Sequence, residues 1–149
     1  MIIGLRRAIL FSTVGTVAVI IILLPFFIGF AFPLPHQLPV TVSSIQKVDE
    51  ETIEVQLEIF NPNLAALAVS KIEYDLFADG ELVGRGQLDY ANTPVTGRPQ
   101  LLQRQSTMLT STVNTDMQPL SGAHWKASGM IEISNAFTLG QREFTAYFQ

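Results

Sequence analysis

The sequence has no cysteine, only two histidines and one tryptophan, and nine lysine or arginine residues in 149. Without cysteine there is no disulfide framework and no thiolate metal site, so any exported domain must be held by its hydrophobic core alone. With thirteen acids against nine cations the chain lacks the basic footprint that nucleic-acid binding needs, and no nucleic-acid partner is expected. The histidines, His36 and His124, are far apart in sequence and offer no clustered metal ligands. No Gly-x-Ser-x-Gly elbow, P-loop or His-Glu-x-x-His occurs, and no acceptor for N-glycosylation either. These absences argue against an enzyme and leave no cofactor or metal to expect.

Charge is also missing from one long stretch. Residues 8–32, "AILFSTVGTVAVIIILLPFFIGFAF", carry no ionisable side chain, and about 20 apolar residues suffice to cross a bilayer core as a helix. Arg6 and Arg7 precede this run, whereas the first cation after it is Lys47. The positive-inside bias therefore predicts a retained signal anchor with a short cytoplasmic N-terminus (1–7) and the remainder outside the cell membrane. A cleaved signal peptide is the competing reading, because Gly29-Phe30-Ala31 offers small residues, but its apolar region is normally only about 7–15 residues long. Gly4, Ala8, Ser12 and Thr16 recur every fourth residue with Gly15 and Ala18 beside them, a spacing that lets a second helix approach closely, although small residues are common in any membrane helix. Pro25 is expected to bend the outer half.

After the apolar run, "PLPHQLP" (33–39) predicts a short stiff stalk. From residue 40 the period changes to two. In "TIEVQLEIF", Ile53, Val55, Leu57 and Ile59 alternate with polar residues, as in a strand with one face buried. "KIEYDLF" repeats the pattern with Ile72, Tyr74 and Leu76 inward, and "ELVGRGQLDY" follows after Asp79-Gly80, a pair suited to a tight hairpin because it tolerates positive φ. Further strands are predicted at Val40–Val48, Ser106–Val113, Trp125–Ser134 and Arg142–Phe148. About seven short strands without a helical period point to an antiparallel β-sandwich over 40–149. The long connection "ANTPVTGRPQLLQRQ" is expected to carry a sheet crossover or a short helical turn.

Removing Arg6 and Arg7 leaves seven cations against thirteen acids in the domain, a balance that disfavours lying flat on an anionic lipid surface. Asp49-Glu50-Glu51 lacks the alternating spacing of a calcium loop and reads as a solvated turn. Gly84-x-Gly86 lacks the third glycine of a dinucleotide loop, so close strand packing or a bulge accounts for it better. Trp125 is expected in the core. Phe137 and Leu139 are candidates for an exposed apolar contact, or for tucking back onto the domain.

In Asn61-Pro62-Asn63, Pro62 cannot donate to a ladder and Asn63 tolerates the left-handed region, so the triplet ends one strand and turns the chain. Together with Tyr74, Asp79-Gly80 and Gly84-Arg85-Gly86 it resembles the signature of the water-stress and hypersensitive-response domain, the group-2 late-embryogenesis-abundant family. That resemblance implies a fibronectin-III-like sandwich, often carried behind one membrane helix, in proteins associated with desiccation, cold and defence responses and generally without enzymatic activity. The expected function is thus a non-enzymatic, single-span membrane protein acting in envelope stress protection or as a tethered binding module. The alternative is an accessory subunit of a membrane complex, its helix against partner helices and its sandwich over the partner's outer face. The expected partners are the bilayer, through the helix, and in the alternative other membrane subunits.

Overall fold

The computed structural model describes residues 17, 19–21, 34–115, 122–135 and 138–148, in two compact units, 1–33 and 34–149. In the first unit Val17 and residues 19–21 are helical. Among the described residues no helix is long and apolar enough to cross a membrane. This corrects the expected transmembrane helix and the single-pass, extracytoplasmic placement built on it. Gly4, Arg6, Arg7, Ala8, Ser12, Gly15, Thr16, Ala18 and Pro25 lie outside the described residues.

The second unit is all-β. Its strands are β1 (Val40–Lys47), β2 (Thr52–Phe60), β3 (Leu67–Ala78), β4 (Glu81–Asp89), β5 (Gln100–Leu101), β6 (Ser106–Asn114), β7 (Trp125–Ser134) and β8 (Leu139–Tyr147). The expected strands are all present within a few residues. The two-residue β5, which pairs with β3 after a 3-10 turn over Val95–Gly97, lies in the long connection whose sequence has no alternation.

The expected antiparallel β-sandwich is met in its coarser form, as an all-β, barrel-like fold. All eight strands belong to one sheet, ordered β1-β2-β6-β4-β3-β7-β8 with β5 beside β3, and the sheet curls into a half-barrel. Three register shifts, at Val42/Ser44, Val69/Lys71 and Leu76/Phe77, supply local kinks and extra twist. A parallel bridge between Val42 and Phe148 brings the outermost strands together. The weakest join is in the middle: β4 and β6 share a single register pair, Gly86 with Val113.

Alternation places the core. Ile53, Val55, Leu57 and Ile59 of β2 are fully buried, as are Ile72 and Leu76 of β3 and Ile131 and Ile133 of β7. Each such side chain contributes about 1.5–3 kcal/mol when removed from water. Leu34 and Leu38 join this cluster, and Arg142 Nε donates to the Pro35 carbonyl at 2.5 Å. Residues 34–39 therefore lie along the domain rather than standing off it as a stalk.

Candidate functional site

Asn61 ends β2 and is fully buried. Its Nδ2 donates to the carbonyls of Ala65 (2.9 Å) and Leu101 (2.8 Å), and its Oδ1 accepts from the Asn63 N–H at 2.9 Å. The amide thus uses both donors and its acceptor on backbone groups, closing the corner and fastening it to β5. Pro62 is exposed at the apex. At the far end of β3, Asp79 and Gly80 both have positive φ, 50° and 89°, which suits the tight two-residue hairpin. Asp79 Oδ1 accepts from the His124 N–H, tying that hairpin to the start of β7.

Tyr74 sits between two glycines, opposite Gly86 on β4 and Gly129 on β7. A Cβ at Gly86 would lie 2.2 Å from the Tyr74 ring, so the ring occupies the space of the missing side chain. It passes over β4 and reaches β6, where the Tyr74 and Ser111 hydroxyls, both buried, meet at 2.5 Å. This bridge crosses the seam where the backbone ladder has only one pair. A Cβ at Gly84 would lie 2.5 Å from the Asn114 carbonyl, so this glycine lets β6 approach. Burial pushes the Tyr74 phenol above its ordinary pKa, the Ser111 hydrogen bond opposing part of that shift. A phenol so held is a poor general base, and the only side chain hydrogen-bonded to it is a serine.

On the opposite, outward face of β4, β3, β7 and β8 lies an open depression of about 820 Å³. The cross-strand rows Arg85, Asp75, Ser128, Thr145 and Gln87, Glu73, Met130, Glu143 line it, with Gly86 and Gly129 in its floor. Arg85 Nε meets Asp75 Oδ1 at 2.9 Å, and Lys71 at the rim meets Glu73 at 2.8 Å. That contact raises the lysine's pKa through its hydrogen bond. Exposed pairs of this kind are screened by solvent and contribute little to stability. The lining offers carboxylates, an amide, hydroxyls and a guanidinium, but no serine beside a histidine and no cysteine. Among the described residues no three His, Cys, Asp or Glu side chains are grouped to hold a metal. Asp49 accepts from the Glu51 N–H at 3.0 Å, a turn contact that heads the causes holding its carboxyl below the usual range. His36 and His124 are exposed at opposite ends of the domain.

Trp125 is buried, Leu139 is exposed, and Phe137 lies outside the described residues. Two elements have little signal in the sequence. Gly129 faces the β3 backbone so closely that a Cβ would lie 2.0 Å from the Glu73 carbonyl oxygen. Arg98 donates from Nε to Thr93 O, from Nη1 to Ser70 Oγ and from Nη2 to Ala91 O, organising the long connection. An arginine between Gly97 and Pro99 was the cue to that role.

No protein-family model matches the chain, and no curated protein does. Among solved structures it is similar to a protein from Archaeoglobus fulgidus, at 11% identity and a TM-score of 0.46 over 74% of this chain and 91% of that one. It is also similar to an Arabidopsis thaliana protein solved in solution, at 12% identity and a TM-score of 0.49 over 77% and 87% of the two chains. A structural-genomics target solved by X-ray methods follows, at 13% identity and a TM-score of 0.40 over 76% and 80%. Similarity at this level assigns neither family nor function.

Proposed function

We propose that this chain is a non-enzymatic β-domain that works by binding, in stress protection of the water-stress type that its signature resembles, and that the outward depression is its ligand-facing surface. The observation that carries this reading is the chemistry of that surface. Its rows present hydrogen-bond donors and acceptors of both signs in an open trough, without a nucleophile and base in register. The signature residues lie elsewhere in role: Asn61, Tyr74, Gly84 and Gly86 serve the corner and the seam. A trough lined by carboxylates, amide and hydroxyls suits a hydroxyl-rich polymer better than a compact apolar ligand, because each hydroxyl both donates and accepts.

The test is calorimetric titration of the domain with soluble oligosaccharides of different sugar composition. Ser128→Tyr and Thr145→Tyr, placed in adjacent strands on the outward face, would fill the trough without touching the core. The expected result is measurable binding by the native domain and loss of it in the doubly substituted one, with unchanged melting. Absence of heat with every oligosaccharide, or binding indifferent to the two tyrosines, would refute the assignment.

A further inference from the structure

The loops of the domain sort by charge. One end gathers residues 34–39, the β2–β3 corner 61–66, the connections 90–99 and 102–105 on either side of β5, and Asn135 and Thr138 between β7 and β8. The pairings Val40 with Ile59, Phe60 with Ser106, Leu67 with Leu101 and Ser134 with Leu139 require this. None of these segments contains Asp or Glu, and they carry Arg98 and Arg104. The opposite end holds the β1–β2 and β3–β4 turns with Asp49, Glu50, Glu51 and Asp79. Asp89, the last residue of β4, stands exposed beside the acid-free loops and accepts from the Ala91 N–H, and that same end exposes large apolar side chains: Phe60 (37% exposed), Leu64 (62%), Val95 (50%), Leu102 (49%) and Leu139 (60%). They come from separate segments of the chain, and all stand at or beside that end.

We infer that this end docks on an anionic lipid surface, its apolar side chains entering the boundary between headgroups and acyl chains while Arg98 and Arg104 meet headgroup phosphates. Apolar side chains rimmed by more cations than acids, here Arg98, Arg104 and Lys71 against Asp89, are a combination that an anionic bilayer surface binds. Arg104 is exposed, and Arg98 engages each of its nitrogens once, so both terminal nitrogens keep a second N–H to offer. The domain's net negative charge opposes a flat approach but not an end-on one. Nine residues of β2 span about 30 Å, several times the ~8–10 Å screening length, so the acidic turns stay electrostatically remote from the surface.

The test uses residues 34–149, whose buried cluster, Leu34 to Ala146, falls inside one compact unit. Co-flotation is measured with vesicles of phosphatidylcholine alone and with phosphatidylglycerol added. The expected result is binding to the anionic vesicles and about tenfold weaker binding to neutral ones. Leu64→Glu with Leu102→Glu should reduce binding at least about tenfold, whereas Leu82→Glu, an exposed leucine beside the acidic β3–β4 turn, should not. As a readout independent of those charges, a tryptophan placed at Leu64 should be quenched by brominated acyl chains and one placed at Leu82 should not. No binding to anionic vesicles, equal binding to neutral ones, equal loss in the Leu82 variant, or equal quenching at both positions would overturn the assignment.

Discussion

Replacing Asn61 with alanine tests the corner most directly. The change removes hydrogen bonds to the Ala65 and Leu101 carbonyls and from the Asn63 N–H. Leu101 is fully buried, so its carbonyl loses this partner where water cannot easily replace it, at about 1–3 kcal/mol. The other two bonds are part-buried and together contribute about 1–2 kcal/mol. A net loss of about 2–5 kcal/mol follows, or roughly 8–20 °C in melting temperature for a domain of this size. Asn61→Asp separates the amide's roles. Its retained oxygen still accepts from Asn63, but its second oxygen faces two carbonyls that Nδ2 satisfied, in a buried site. The folded state therefore raises that carboxyl's pKa above its unfolded value of about 3.9. The aspartate variant should be least stable at neutral pH and should recover as pH falls toward the unfolded value, because protonation restores one donor. Urea unfolding of residues 34–149, followed by circular dichroism at pH 7 and pH 4.5, reads both effects. A loss below about 1 kcal/mol for alanine, or an aspartate variant as stable as the native domain at pH 7, would refute the account of the corner.

Tyr74→Phe removes the bridge across the β4–β6 seam and strands the buried Ser111 hydroxyl, at a cost of about 1–2 kcal/mol, part of which Ser111→Ala should restore in the double variant. Because burial raises the folded Tyr74 pKa, the native domain is expected to be fully stable below the unfolded value near 10 and to weaken as pH rises through the folded one; alkaline melts of the Phe variant should show a shallower decline. Gly129→Ala drives a Cβ into the Glu73 carbonyl, which is backbone, and should cost more than Gly86→Ala, where the obstacle is the Tyr74 ring; thermal melts that reverse this order would count against the geometry.

The alternation in β2 and β3 was legible because one face of each meets the core and the other meets water. Ile53, Val55, Leu57 and Ile59 could not change parity without exposing the whole set. Asp79-Gly80 was legible because backbone chemistry at a tight turn is local. β5 left no trace, since a two-residue strand has no period to read. Whether strands close into two sheets or curl into one depends on register and bulges. The seam between β4 and β6 is bridged here by a tyrosine reaching over one strand to a serine 37 residues away, a relation that no local pattern carries. The depression was hidden for a similar reason. Its lining consists of the polar, outward members of four alternating strands, which in sequence look like ordinary solvated positions.

That separation between inner and outer positions says where specificity in this domain resides. The inward residues and the signature are mutually constrained: Gly86 must be small because Tyr74 crosses it, Tyr74 must cross it to reach Ser111, and Asn61 must present an amide to hold Leu101. None of them can change alone to suit a ligand. Arg85, Gln87, Ser128, Met130, Glu143 and Thr145 carry no such constraint on the inner face, and neither do the exposed side chains of the acid-free loops. The same barrel could therefore present different outward rows and different loop ends while its signature stayed fixed. Inward residues of this kind fix how the sheet closes and leave the outward rows free to vary.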